Sequence, residues 1–401
     1  MIIRISKNII IFTFIIISFI FCSNNIDSYV ILVSFDGFRY DYVDRLDTPH
    51  FDFLEDNGVK AKSLKPVFPS FTFPNHYSIA TGCYTDKHGI LGNEFSTYLD
   101  NNVISKYSYK DKISVQDPRW YKAEPIWVTA EKNGIISATY FWVGSEAEIG
   151  GYYPTYYKKY QSGIDPVSKV DQVVNWLKLP IKDRPRLVCL YFNEPDHAGH
   201  VYGASSKEVN EQIEKSDEVL GYLLKSLEKL SIYNQINVVI VSDHGMVDVS
   251  KDKMINIDNF NIRGIVDGRG PVMSVIDTDY KNDALNIPHV KIVPSKNNSI
   301  LHYDNPLYDY LLIADEGWLM YKTKDFLNYN NSLPVKGMHG YNADSMNMHS
   351  IFYAFGPKIR SGLSIDTFEL IHIYPLLCDL LKIDPYHDID GKLEILKPIL
   401  N

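Results

Sequence analysis

Three apolar runs of strand length stand far apart in the chain, and each gives out within a few residues of an aspartate. Tyr29–Phe35 (YVILVSF) leads to Asp36, Leu187–Phe192 (LVCLYF) to Asp196, and residues 238–241 (VVIV) to Asp243. Near-continuous apolar runs of this length are how strands buried on both faces of a parallel sheet read. Helical patterns alternate with them, over 124–132, 168–178, 206–230 and 371–381, the last despite its internal Pro375. The 206–230 pattern is the clearest. Val209, Ile213, Leu220, Leu224 and Leu227 make one apolar face, and Ser205 or Ser206 can cap its start. Alternating β and α predicts an α/β fold with helices on both faces of a mostly parallel sheet. In such sheets ligands bind outside the carboxyl ends of the strands, so the three aspartates are expected to point into one crevice.

The rhythm breaks over residues 251–335. Short mixed strands, Gly268-Arg269-Gly270 and loops rich in Asn and Asp replace it, before His339 and a strand-like 350–355. This stretch reads as a small inserted α+β subdomain that returns the chain to the crevice and roofs it. No repeat and no Pro-, Gly- or Ser-rich linker divides the rest, so 23–401 reads as one domain.

Residues 1–22 change the picture at the other end. Arg4 and Lys7 precede an apolar stretch at 9–21, followed by Ser23-Asn24-Asn25. The stretch is short for a membrane span of about 20 residues and fits a signal peptide, with an uncleaved signal anchor as the alternative. The expected location is secreted or lumenal, with a membrane met only through that anchor. Sequons at Asn297 and Asn330 are compatible with the secretory route and with a glycoprotein. Beyond Cys22 in the leader, Cys83, Cys189 and Cys378 read as free buried thiols. In 401 residues, 45% hydrophobic and 22% charged positions are ordinary for a globular chain, and a net charge of −9 lacks the basic footprint of a nucleic-acid binder.

The candidate chemistry is metal chemistry. Asp196 and His200 in EPDHAGH are one helical turn apart, so both can reach one ion, and His339 would complete a three-ligand set with an open position, as catalytic zinc is held. Asp243 and His244 are adjacent, so a shared ion needs a turn, which Gly245 supplies; with Asp36 they form a second site. Each residue also has an ordinary reading. D-x-x-x-H can be a solvated loop, Asp243 a helix cap, Asp36 half of an Asp-Gly turn, and His339 a structural histidine. Thr72, in PSFTFPNH, precedes a helix start suited to Pro74; free N–H groups there favour an anion, and a metal can generate its alkoxide. Asn93, after Gly92, can donate its amide to a phosphoryl oxygen or simply sit in a turn.

With these segments in hand, the chain resembles the nucleotide pyrophosphatase/phosphodiesterase family of the alkaline phosphatase superfamily. DGFR at 36–39, FTFPNHY at 71–77, ATG and HGILGN within 80–93, EPIW at 124–127, EPDHAGH at 194–200, SDHGM at 242–246 and HGY at 339–341 stand in family order over nearly the whole chain. The resemblance implies an alkaline-phosphatase-like three-layer sandwich and two zinc ions. Asp196, His200 and His339 would hold one; Asp36, Asp243, His244 and the Thr72 oxygen would hold the other. Thr72 would be the nucleophile and form a covalent nucleotidyl-threonine, with Asn93 steadying the non-bridging oxygens. Phe73 and Tyr160 match the residues that hold a base in nucleotide-acting members, and Trp142 matches a neighbour; all three also read as core aromatics. Val143 and Glu146 depart from the Pro and Asp that such members tend to carry.

The reading is a two-zinc hydrolase that cleaves phosphodiester or pyrophosphate bonds of extracellular nucleotides and releases nucleoside 5'-monophosphates. The alternatives are a choline-lipid or glycerophosphodiester phosphodiesterase, a phosphomutase or sulfatase of the same superfamily, and a non-catalytic binding protein with a degenerate site. Thr72 argues against a sulfatase, whose nucleophile is a modified Cys or Ser.

Overall fold

The computed structural model describes residues 28–100, 103–262, 264–277, 286–328 and 335–401, and no side chains at 326–328. The leader at 1–22, Cys22 and the Asn330 sequon lie outside the described residues.

Tyr29–Phe35 is buried along its whole length because it is the middle of the sheet. It pairs in parallel with Leu187–Phe192 on one side and Ile236–Val241 on the other. Among the described residues the central sheet has eight strands. Their order is Leu363–Ile365, Val59–Ala61, Phe352–Phe355, Ile236–Val241, Tyr29–Phe35, Leu187–Phe192, Ser137–Tyr140 and Tyr156–Lys158. Phe352–Phe355 runs antiparallel to both neighbours; the other pairs are parallel.

The pleat divides the apolar residues between two cores. Val30 and Leu32 join Leu187, Cys189, Val239 and Val241 under the helices Thr72–Thr81, Ile126–Lys132 and Ile373–Leu381. Ile31, Val33 and Phe35 join Val188, Leu190, Phe192, Val238 and Ile240 under Pro49–Asn57, Pro166–Leu177 and Lys207–Glu228. That is the expected three-layer α/β sandwich. Cys83, Cys189 and Cys378 are free and buried.

Element ends differ from the sequence reading where local chemistry decides them. The Lys207–Glu228 helix is capped by Ser206, whose hydroxyl accepts from Val209 N–H at 3.2 Å. Ile126–Lys132 starts two residues later than expected because Pro125 is extended. Pro375 is tolerated because it falls in the first turn of Ile373–Leu381, where its missing N–H has no intrahelical partner to lose. Ser350 is drawn out of the expected 350–355 strand to bridge Arg39 and Leu64, leaving Phe352–Phe355.

In residues 251–335 a second sheet runs in the order Ile265–Gly268, Val272–Ile276, Tyr310–Ala314, Val290–Pro294, antiparallel throughout, over a core that includes Met273, Val275, Tyr310 and Leu312. The chain leaves the crevice at Val247–Asp248 and re-enters it at Gly337–Met338, and these two short strands pair antiparallel. His339 is thereby delivered beside the segment that carries Asp243 and His244. Among the described residues no helix is long and apolar enough to cross a membrane.

Candidate active site

Register places the first acids. Phe35 pairs with Phe192 and Ser34 with Val241, so three parallel strands end level and their following residues meet at one edge. Asp36 N–H donates to the Phe192 carbonyl at 2.9 Å, and Asp196 N–H to the Asp36 carbonyl at 3.0 Å. The approach is close enough to require Gly37. Its φ is +68°, and a Cβ there would lie 2.8 Å from Asp196 Cα.

Asp196 opens the short helix Asp196–Tyr202, and His200 follows one turn on. Asp196 Oδ1 lies 3.6 Å from both His200 Nε2 and His339 Nε2, and these two nitrogens are 3.1 Å apart. Asp36 Oδ1 and Asp243 Oδ2 lie 3.5 and 3.0 Å from His244 Nε2. Two groups of three donors thus converge, each within 4.8 Å of one another. The His244 and His339 rings stack at 3.5 Å and join the two groups. Gly245 acts differently from the expected turn residue. Asp243 itself bends, and Gly245 lets the chain pass under the 347–349 backbone, where a Cβ would lie 2.2 Å from the Asn347 carbonyl.

The hydrogen bonds behind the donors state what the front must hold. His200 Nδ1 donates to the Gly337 carbonyl, His339 Nδ1 to Ser70 and His244 Nδ1 to Gly245, each at 2.9 Å. A carbonyl can only accept, so each Nδ1 carries a proton, and in the neutral ring each Nε2 turns a lone pair inward. Asp36 Oδ1, Asp196 Oδ1 and Asp243 Oδ2 are buried with no hydrogen-bond partner. Facing lone pairs and unpartnered buried carboxylate oxygens are what divalent cations satisfy. The donor set, three carboxylates and three imidazoles, fits two zinc-like ions. Charge crowding agrees. Burial, then the Asp243 and Asp196 charges, push the Asp36 carboxyl well up. Burial pushes Asp243 up too, but His244 and His76 beside it bring it well below the usual carboxylate range. Burial and the neighbouring His244 and His200 push the His339 imidazole well down.

Thr72 is the first residue of the Thr72–Thr81 helix, one place further in than expected, and its Oγ1 lies 3.2 Å from His244 Nε2. Asn93 Oδ1 accepts from Phe73 N–H at 2.9 Å, which fixes the amide with its NH2 turned away from the helix. Phe73 sits near the rings of Tyr107 and Tyr109. Tyr160 is 49% exposed and meets the rings of Phe141 and Tyr191. Trp142 is fully buried behind the site, its Nε1 donating to the His76 carbonyl at 2.9 Å. Glu146 accepts from Tyr160 N–H at 2.8 Å and so fixes that aromatic. Beside Phe71 and Asn93 opens a cavity of about 380 Å³ whose walls include Lys106, Lys110, Arg269 and Lys322.

Residues outside the sequence reading also build the site. Tyr191 OH donates to Asp36 Oδ2 at 2.5 Å. His76 donates from Nδ1 to the Thr72 carbonyl at 3.0 Å, and its Nε2 meets Ser34 Oγ at 2.8 Å, tying the helix to the central strand. Phe141, beside Tyr160 and Tyr191, holds φ +55°. Tyr191 is hidden in the run LVCLYF, where it reads as core. His76 stands four residues after Thr72, a spacing that puts both on one helix face and was the available signal.

A sequence profile of the family described as "Type I phosphodiesterase / nucleotide pyrophosphatase" matches residues 30–342. Venom phosphodiesterase 2 of Crotalus adamanteus is 34% identical over 379 residues, covering 89% of this chain and 45% of that protein. Human ectonucleotide pyrophosphatase/phosphodiesterase family member 5 is 33% identical over 369 residues, covering 88% of this chain and 74% of that protein. The chain thus spans less than half the length of the venom phosphodiesterases it matches. A solved structure of murine ectonucleotide pyrophosphatase/phosphodiesterase 5, an inactive threonine-to-alanine variant in complex with AMP, superposes with a TM-score of 0.85 at 30% identity. It covers 94% of this chain and 100% of that one.

Proposed function

This chain belongs to the type I phosphodiesterase/nucleotide pyrophosphatase family of the alkaline phosphatase superfamily, and from that premise we propose that it is a two-zinc hydrolase of nucleotide phosphodiester and pyrophosphate bonds. Asp196, His200 and His339 would hold one ion; Asp36, Asp243, His244 and the Thr72 oxygen would hold the other. When bound, zinc would supply Lewis acidity toward a hydroxyl or water and would neutralise charge on the phosphoryl group.

The rest of the mechanism belongs to the chain. Thr72 Oγ1 attacks phosphorus, its proton passing to solvent. The new O–P bond forms as the bond to the leaving group breaks, and the nucleoside 5'-phosphoryl group remains on Thr72. Water then cleaves that ester, the nucleoside 5'-monophosphate leaves and the threonine hydroxyl is restored. Asn93 is held by Phe73 N–H so that its NH2 donates to a non-bridging oxygen, joined by the one N–H left at the helix start, that of Thr72, since Phe73 N–H is taken by Asn93 and Pro74 has none. Phe73 and Tyr160 offer faces to the base, Trp142 backs the wall, and the cavity beside Asn93, where five basic side chains outnumber Glu94, Asp267 and Asp325, suits an anionic leaving group. The AMP complex of the murine relative supports a nucleotide substrate. Residues 1–22 as a leader, 23–401 as the catalytic domain with 251–335 inserted, and a secreted or lumenal location complete the proposal. Asn297, in an exposed turn, is open to glycosylation.

The observation that carries this reading is the pair of inward-facing donor groups beside a threonine at a helix start. The test is incubation of the purified, zinc-loaded chain with ATP and, separately, with a glycerophosphocholine ester. Chelator-sensitive release of AMP supports the proposal. Turnover of the choline ester alone gives the substrate to the alternative, and turnover of neither with no bound zinc leaves a binding protein.

A further inference from the structure

Lys169 is the buried cation that the mechanism does not use. It lies on the Pro166–Leu177 helix, 5% exposed, and among the described residues it makes no ion pair with a carboxylate. Its Nζ donates to the Tyr191 carbonyl at 3.0 Å and lies 5.4 to 6.0 Å from the ring centres of Phe192, Tyr191 and Tyr140. Burial alone pulls this ammonium down to about 8. An ammonium buried without a counter-charge costs stability, and three ring faces with one carbonyl offset only part of it.

The group it holds is the exit of the Leu187–Phe192 strand. Tyr191 has its carbonyl on Lys169 and its phenol on Asp36 Oδ2, at 2.5 Å. The next carbonyl, of Phe192, accepts from Asp36 N–H. Four residues further on stands Asp196. One short segment therefore carries a support for Asp36 and the backbone leading to Asp196, and Lys169 grips it from beneath.

We propose that Lys169 is a positioning residue, fixing the Tyr191 peptide so that the phenol orients the Asp36 carboxylate as a metal ligand. The inference rests on the two-zinc reading of Asp36. Groups that orient a ligand typically change metal affinity or activity 10–100-fold when removed. Lys169→Met removes the charge and the donor and keeps the length. It is expected to lower kcat about tenfold with KM within about twofold, and to speed zinc loss to a chelator about tenfold. Its Tm, measured without metal, is expected to hold or rise, because an unpaired buried charge has gone.

The test is a double-mutant cycle with Tyr191→Phe, read by zinc release and by kcat. If Lys169 acts through the phenol, its substitution adds less than about twofold in the Tyr191→Phe background. Wild-type zinc release in Lys169→Met, full additivity of the two changes, or a metal-free Tm lowered by more than about 5 °C would each overturn the proposal, the last by making the lysine structural. Zinc release is read without substrate, so these results stand apart from the fate of the substrate assignment. If the parent chain binds no zinc, the reading of Asp36 as a ligand fails and the role of Lys169 falls with it.

Discussion

A threonine hydroxyl does not ionise near neutrality by itself, so as the proposed nucleophile Thr72 depends on its surroundings: His244 at 3.2 Å, its own N–H at the helix start and the amide of Asn93 beside it. Thr72→Ala is expected to abolish turnover while zinc content, measured by elemental analysis, stays near that of the parent, because six other donors remain. Comparable rates in the variant would end the covalent route. Asn93→Ala removes a donor aimed at developing charge and is expected to cost about 10²-fold or more in kcat, with a smaller effect on KM. His88 makes a different residue-scale point. Its Nδ1 accepts from Ile90 N–H at 3.1 Å and its Nε2 meets Ser78 Oγ at 2.9 Å, so the ring is held neutral. Burial lowers its pKa to about 3, against about 6.5 in an unfolded chain. The stability it contributes is complete above pH 6.5 and is lost as pH falls toward 3, because the unfolded state binds the proton first. The slope approaches about 1.4 kcal/mol per pH unit. Urea unfolding between pH 7 and 5 should show a shallower acid slope in His88→Gln than in the parent; equal slopes would remove His88 from the account.

Strand ends and turns bring these residues together, and glycine makes the closest approach possible. Gly340 follows His339 with φ +101°, and a Cβ there would lie 2.1 Å from the Phe71 ring, which packs edge-on against His339. Gly340→Ala is therefore expected to displace His339 and lower bound zinc below two per chain, whereas an alanine at Gly134, strained by its φ of +71° but with nothing within 4 Å of a Cβ, leaves bound zinc unchanged. The hairpin Glu94–Leu99 and Val103–Ser108 puts Lys106 and Lys110 on the wall of the cavity beside Asn93. Reversing both to Glu should raise KM for ATP several-fold more than KM for a nucleotide ester with an uncharged leaving group. Equal effects on both substrates would show that the cavity does not meet the leaving group. At this scale the sequence was most readable. Continuous apolar runs gave the central strands, because burial on both faces leaves no polar positions to blur the pattern. Asp36, Asp196 and Asp243 could be read as one crevice because parallel strands end level. What could not be read was support from within apolar text. Tyr191 and Lys169 look like core and helix surface until register sets the phenol on one carboxylate and the ammonium under its peptide. Gly245 looked like a turn because its real constraint, the 347–349 backbone, is a hundred residues away.

For the whole molecule the decisive quantity is the coupling of metal to folding. Three buried carboxylate oxygens have no hydrogen-bond partner in the protein, and Asp36, Asp196 and Asp243 repel one another across the crevice. Binding an ion would remove that repulsion in the folded state alone, so the proposed zinc would add stability by mass action, about 4 kcal/mol at a thousandfold excess over Kd. In a chain of this size that corresponds to a Tm higher by about 5 to 8 °C. The sign of the pH dependence follows from the groups involved. Without a cation, Asp36 is held well above its ordinary value by burial and by the Asp243 and Asp196 charges, so it keeps a proton that binding must expel. The imidazole Nε2 atoms must also be neutral to bind. Burial lowers the His244 imidazole, but the Asp243 charge beside it raises it above its ordinary value, so its protonation competes with the ion as pH falls. Protons therefore compete with zinc, increasingly as pH falls. The difference in Tm between zinc-loaded and chelated protein should be greatest near pH 8, shrink through pH 6.5 and nearly vanish by about pH 5, with activity falling below about pH 6 for the same reason. Calorimetry of both forms at the three pH values checks this. A Tm difference independent of pH would mean that these carboxylates and imidazoles are not what holds the metal.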